Sequence, residues 1–215
     1  TSPEKLANGE ADMWDSGKKP ASASTGIIYK GKTLSSRARY WWKVRVWTED
    51  DVVTDWSAPA SFEMGLLHEE DWWGGWIGYA TGMPGRVLYF KATVDYGKKP
   101  VREARMYIAG LGFYELMING KKVGDHVLDP AQSSYSKRIY YATYDISDCF
   151  TEEANTIVVA VAPGFIGTPK LRMQMLVYFE DGSVAALTSG EMRAITAGST
   201  MYTSIFDGEH FDARE

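Results

Sequence analysis

Cysteine is almost absent. Cys149 is the only one in 215 residues, so no disulfide can form within the chain and stability has to come from apolar burial. Long hydrophobic runs are also missing: the longest, Ile157 to Ala162, is far short of the roughly 20 apolar residues that carry a helix across a bilayer. No charged-then-apolar leader opens the sequence, and no membrane partner is expected. Basic clustering is lacking too. With 23 Lys+Arg against 28 Asp+Glu the formal charge is −5, and there is no Lys/Arg stripe of the kind a nucleic-acid backbone demands, so no nucleic-acid partner is expected either. Histidine is scarce: His68, His126 and His210 are widely separated, none has metal-ligand spacing, and Cys149 has no neighbouring His. The expectation is no metal site and no thiol nucleophile. Gly110-x-Gly112 sits between strands with no helix behind it to hold a phosphate.

What the sequence has in quantity is aromatic and turn-forming residues. Eight Trp, thirteen Tyr, 21 Gly and 8 Pro favour short strands joined by tight turns, because rings pack well on pleated surfaces. The fold class expected is all-β. From Tyr40 to Trp47 the residues alternate: Tyr40, Trp42, Val44 and Val46 share one face, while Trp41, Lys43, Arg45 and Trp47 share the other. That is the period of a half-buried strand. Leu34 precedes Tyr40 by six residues, and Trp56-Ser57 leads into a second strand at Ala60 to Met64. This pattern resembles the later half of a fibronectin type III sandwich, in which the Tyr hydroxyl ties its strand back to the corner. Such a sandwich takes about seven strands in about 100 residues. The segment up to residue 66 is therefore read as an incomplete fibronectin-like domain, with its first strands missing and its inner face partly exposed.

Residues 67–85 form a Trp- and Gly-rich linker around Asp71-Trp-Trp-Gly-Gly-Trp-Ile-Gly78. Three close indoles could stack on a sugar, but Trp is highly buried on average, so Trp72 and Trp76 are expected to pack inward. From 86 to 215 the alternation recurs at Val87 to Val94, Glu103 to Ala109, Tyr114 to Ile118, Arg138 to Tyr144, Thr156 to Ala162, Leu171 to Phe179, Ser183 to Thr188, Met192 to Thr196 and Ile205 to Phe211. Asn119-Gly120 is the strongest hairpin signal, and Asp181-Gly182 supplies another turn. About ten short strands predict a two-sheet jelly-roll β-sandwich.

Paired carboxylates are the remaining route to chemistry, because glycoside cleavage uses one carboxyl as proton donor and another as base or nucleophile. The candidates are Asp125 with Asp129, and Asp207 with Glu209 and Asp212. In an extended strand Asp207 and Glu209 would share a face, although solvated turn carboxylates produce such pairs by chance.

The run Ala104 to Pro130, then Ser134 to Ile146, and the ending Ile205-Phe-Asp-Gly-Glu-His-Phe-Asp-Ala-Arg214 closely resemble the N-terminal β-sandwich of bacterial α-L-rhamnosidases (glycoside hydrolase family 78). Trp14-Asp-Ser-Gly17, Tyr40 to Trp47, Phe62-Glu-Met-Gly65 and Trp76-Ile-Gly78 are similar to the fibronectin-like domain and connector before it. The resemblance implies a non-catalytic part of an enzyme: members remove terminal L-rhamnose with inversion, in an (α/α)6 barrel that follows the sandwiches and would be this region's partner. No catalytic residue is carried over. Periplasmic or extracellular handling of rhamnose-containing glycans goes with that lifestyle. The jelly roll also resembles galactose-binding-like modules, some of which bind L-rhamnose through calcium. An accessory carbohydrate-binding role, with calcium as a possible cofactor, would draw on the rim residues Gln132, Tyr135, Arg138 and Phe165. Pro163 to Lys170 is a short loop where longer members extend. A free-standing enzyme built on Asp207 and Glu209 is the third reading.

Overall fold

The structure, a computed structural model, describes residues 1–22, 25–79, 85–165, 168–195 and 198–214. Residues 80–84 of the expected linker, 166–167 of the short loop, Thr196 of an expected strand and Glu215 lie outside the described residues. Packing divides the chain into two units, Thr1–Asp71 and Trp72–Glu215.

The first unit opens on a short helix α1 (Pro3–Ala7), capped where Ser2 Oγ accepts the Lys5 N–H at 3.2 Å. Strand β1 (Arg39–Trp42) pairs antiparallel with β2 (Ala60–Glu63), setting Tyr40 opposite Phe62. Regular pairing stops at Trp42, earlier than the alternation to Trp47 suggests. Beyond it, the N–H groups of Val44 and Val46 donate to the hydroxyls of Ser57 and Thr54, both at 3.1 Å. Side-chain acceptors thus take the place of ladder carbonyls, and the arms stay close but irregular as far as the Trp47–Val53 bridge. Tyr40 is the one fully buried hydrophobic residue among those described in this unit. Its hydroxyl accepts the Ser35 N–H at 2.8 Å, closing the corner expected from the Leu34-to-Tyr40 spacing. Replacing Tyr40 by Phe is expected to lower the stability of this unit by about 1 kcal/mol, since one hydrogen bond is lost and an amide is left without its partner; a shift in the urea midpoint measures it.

Trp42, Val44 and Val46 are largely exposed. The opposite face carries alternating cations and indoles. Lys18 lies over Trp47, Arg45 over both Trp47 and Trp56, and Lys43 over Trp56, at 4.5 to 5.7 Å from the ring centres. Each such contact contributes about 0.5–1 kcal/mol at an exposed position.

In the second unit the strands are β3 (Ile77–Gly78), β4 (Leu88–Val94), β5 (Val101–Leu111), β6 (Phe113–Ile118), β7 (Lys121–Lys122), β8 (Ala142–Asp145), β9 (Asn155–Ala162), β10 (Lys170–Phe179), β11 (Val184–Thr188), β12 (Arg193–Ile195), β13 (Thr200–Ser204) and β14 (Gly208–Phe211). One five-stranded sheet runs β11-β10-β5-β8 with β3 beside β10, and the other runs β12-β4-β9-β6-β7; β13 and β14 form a separate hairpin. All pairs are antiparallel.

The core lies between the two sheets because the period of two sends alternate side chains inward. Phe90, Leu116, Val159 and Val161 come from one sheet and Met106, Ile108, Met173 and Met175 from the other. The Asn119-Gly120 turn closes β6 onto β7 with φ of 53° and 75°, as the sequence predicts.

Three local expectations differ. The strand expected at 138–144 begins only at Ala142, because Lys137 and Arg138 both donate backbone N–H to Ser134 O and fold 134–138 into a turn. The strand expected at 205–211 is instead a hairpin: Ser204 Oγ accepts from the N–H groups of Phe206 and Asp207, and Gly208 at φ 80° completes the reversal. Trp76 is 37% exposed rather than buried. Its segment is held by backbone instead, with Ser189 Oγ donating to Gly75 O at 2.6 Å and Arg172 Nε to Gly74 O at 2.7 Å. Trp72 is half-buried, edge-on to Tyr141 and under the Arg172 guanidinium.

Candidate functional site

At one end of the sandwich, loops from several strands converge. The β5–β6 turn is a single residue, Gly112, which carries the chain from one sheet to the other, and at φ 106° it adopts a conformation that L side chains rarely tolerate. The longer β7–β8 loop folds back over β6: Tyr114 N donates to Asp129 O at 2.7 Å, and the Asp129–Pro130 bond is cis.

Asp129 is the centre of this loop. Its Oδ2 accepts from the Tyr144 hydroxyl, lies 3.3 Å from the Tyr114 hydroxyl and 3.1 Å from His126 Nδ1. Burial resists ionisation of Asp129, but the hydrogen bonds from Tyr144, His126 and Tyr114 outweigh it and hold the carboxyl below its ordinary value. Burial raises both phenols, and the Asp129 carboxylate adds to the rise in each. Tyr144 is pushed up to about 12 and Tyr114 moves further in the same direction. The cluster is an ionised acceptor held by two un-ionised donors.

That arrangement clamps a loop, and it is unsuited to the general-acid role in glycoside cleavage, which needs a raised carboxyl pKa, because Asp129 is shifted the opposite way. The clamp also makes stability pH-dependent. A depressed folded-state pKa gives stabilisation that is present above the unfolded value and lost as pH falls through the folded one. Asp129→Asn is therefore expected to lower stability near neutrality by about 1–2 kcal/mol, with the difference from the parent chain vanishing as the pH falls through the lowered folded-state value of the carboxyl. Urea unfolding at a series of pH values measures this.

The other acids expected to pair are separated or engaged. Asp207 sits in the β13–β14 turn, where Ser204 Oγ donates to it at 3.0 Å and the Tyr202 hydroxyl lies at 3.3 Å. Glu209 is on β14 opposite Thr203, so the two do not share a strand face. Asp212 is held below its ordinary value by hydrogen bonds from Arg214. Cys149 is half-buried and burial pushes its thiol up, which disfavours the thiolate.

Gln132, Tyr135 and Arg138 lie in the β7–β8 loop, with Gln132 and Arg138 exposed and Tyr135 half-buried. The Ser133 hydroxyl donates to the Arg138 carbonyl at 2.6 Å, fixing that loop's turn. Phe165 comes from the β9–β10 loop and is 48% exposed. It packs edge-on between Phe113 and Phe206, 6.2 and 6.3 Å away. Beside this row is a shallow cavity of about 210 Å³ lined by residues that include Gly85, Pro163, Gly164, Tyr202, Ser204 and Phe206.

The Tyr114–Tyr144–Asp129 cluster was not assembled from the sequence. Its one signal is Tyr114 itself, a phenol on the inward face of β6 beside Leu116 and Ile118, where a buried hydroxyl needs a partner. For a calcium ion, no three His, Cys, Asp or Glu side chains converge among the described residues.

Comparison with known proteins places this architecture. The model of the α-L-rhamnosidase N-terminal domain matches residues 99–215, more than half of the chain. The chain belongs to that family. A second model, the Rha78A-like N-terminal immunoglobulin domain, matches residues 4–68, in line with the fibronectin-like reading of the first unit. Among curated relatives, an α-L-rhamnosidase of Formosa agariphila is 36% identical over 99% of this chain and 26% of its own length. An α-L-rhamnosidase of Alteromonas sp. is 30% identical over 94% of the chain and 24% of its own length. The solved α-L-rhamnosidase from Dictyoglumus thermophilum superposes with a TM-score of 0.90 at 35% identity, covering 99% of this chain and 26% of that one. The chain thus spans about a quarter of the rhamnosidases it matches. It carries an immunoglobulin-like unit followed by a β-sandwich. No helix among the described residues is long and apolar enough to cross a membrane.

Proposed function

We propose that this chain is a non-catalytic supporting region of a longer α-L-rhamnosidase, in which the jelly roll packs beside an (α/α)6 barrel that removes terminal α-L-rhamnose with inversion. The observation that carries the reading is coverage: the chain matches rhamnosidases end to end, yet accounts for 26% of their length. The state of its acids agrees, since Asp129, Asp207 and Asp212 are each tied to local donors. The isolated chain is expected to release no nitrophenol from a nitrophenyl α-L-rhamnoside, and a longer polypeptide containing it to release both nitrophenol and, by proton NMR, the inverted anomer of rhamnose. Activity of the isolated chain that disappears in Glu209→Gln would overturn this reading.

A second reading is accessory sugar binding at the Phe113–Phe165–Phe206 row, in which Phe165 and Phe206 are exposed and Phe206 lines the cavity. Flat aromatic faces there suit the apolar side of a deoxy sugar. Calorimetric titration with L-rhamnose, in calcium and in EDTA, decides it. A saturable signal lost in Phe165→Ala supports the reading, and no heat at millimolar sugar removes it.

A further inference from the structure

The face of the first unit that carries Lys43, Arg45 and Trp47 has a feature that neither the core nor the rhamnosidase reading uses. The Arg45 guanidinium is 4.5 Å from the ring centre of Trp56 and 5.1 Å from that of Trp47. Both flanking cations already have polar partners: Lys18 is paired with Asp51, and Lys43 Nζ donates to Leu6 O at 2.8 Å. Arg45 has none. Among the described residues it makes neither an ion pair nor a hydrogen bond, although the chain holds 28 acids against 23 bases. Its two indole contacts hold the guanidinium between the rings, so less freedom remains to be lost when a ligand engages it.

A guanidinium fork with unspent donors matches a carboxylate, which takes two parallel N–H···O bonds. The neighbouring indoles suit the apolar face of a pyranose ring, and Trp56 keeps 47% of its surface open. We propose that Arg45, with Trp47 and Trp56, binds a carboxylated pyranose, that is, a uronic acid residue of a glycan. Arg45 takes the carboxylate and Trp56 carries the ring. The charge-assisted pair at Arg45 makes the binding salt-sensitive, with Lys43 adding attraction at longer range against the acids Glu49, Asp50 and Asp55 of the loop between the two indoles. The inference is independent of the rhamnosidase reading, because it concerns the first unit and needs no catalysis.

The test is titration of the 215-residue chain with tri-galacturonate, followed by calorimetry and by the indole N–H resonances of ¹⁵N-labelled protein. Saturable binding with Kd near about 1 mM or tighter is expected, weakening as salt is raised, while an uncharged galactose trisaccharide gives no saturating shift. Arg45→Gln is expected to weaken binding about tenfold or more, the scale of one lost charge-assisted pair. Arg45→Lys keeps a cation over the indoles but loses the fork, and is expected to fall between the two by about threefold. Near-UV circular dichroism checks that each variant is folded; should Arg45→Gln not fold, Arg45→Lys decides. Unchanged affinity in the folded variants, equal binding of the uncharged trisaccharide, or no saturation by about 10 mM tri-galacturonate overturns the proposal. None of these outcomes bears on rhamnoside hydrolysis by a longer polypeptide.

Discussion

Replacing Gly112 by alanine is expected to lower the stability of the second unit by about 3 kcal/mol or more. Two effects add. At φ 106° an L residue is strained whatever space surrounds it, and the added Cβ would overlap the Ala162 carbonyl oxygen, with the Pro163 carbonyl carbon 3.3 Å away. Neither neighbour is a flexible side chain that can swing aside. Phe113 pairs with Ala162 at the first rung of β6 on β9, so backbone must move and the rung with it. The turn has no slack either, because Gly112 alone joins Leu111 in one sheet to Phe113 in the other. In a unit of this size the loss corresponds to a fall in melting temperature of roughly 6–12 °C. Scanning calorimetry measures it, and a shift of under about 1 °C would mean that the turn relaxes freely.

Asn155→Leu is expected to cost about 3–4 kcal/mol, although the two side chains are similar in size. Asn155 is 1% exposed, and its amide is fully engaged. Oδ1 accepts from Asn119 Nδ2 at 2.7 Å and from Thr151 N at 2.9 Å, and Nδ2 donates to Glu153 O at 2.7 Å and to Thr151 O at 3.2 Å. The Thr151 hydroxyl also donates to Oδ1 at 3.3 Å, so leucine removes five bonds and leaves their partners to find water from a partly buried position. Asn119 extends the network, donating to Cys149 O at 3.0 Å and accepting the Thr156 N–H at 2.9 Å. A double-mutant cycle between Asn119→Ala and Asn155→Ala is accordingly expected to show coupling of about 1 kcal/mol, read from urea midpoints. Additivity of the two substitutions would show that they act separately.

These two positions illustrate how far the sequence can be read. Asn119-Gly120 announces a turn because both residues tolerate positive φ, and that property is local. The side chain of Asn119 also ties the β6–β7 turn to the start of β9, a contact 36 residues away that no local pattern encodes. The strand alternation was legible for the same reason as the turn. Strand β9 buries alternate residues against the core, so Asn155–Ala162 reads as strict alternation of buried and half-buried positions, whereas β5 and β10 bury continuous runs. The alternation misled where hydroxyls intervene. Ser57 and Thr54 unsettle the arm after Trp42, and Ser204 caps the reversal that splits 205–211, because a side-chain acceptor can replace a carbonyl without changing the hydrophobic pattern. Trp76 shows the limit of burial statistics: its segment is held through the Gly74 and Gly75 carbonyls, which leaves the indole outside.

By itself the sequence determined the all-β class, the order of the elements, the Tyr40 corner and membership of the rhamnosidase N-terminal family, because each is written in near-neighbour spacing or in residues taken in order. Tertiary structure alone decided which acids are spent. Asp129 is drawn to two phenols 15 residues away on either side and Asp207 is held in a turn, whereas Arg45 is left with indoles and no acid. The physical reason is that the state of a charge depends on what folding brings within a few ångströms of it, and folding draws those neighbours from distant parts of the chain.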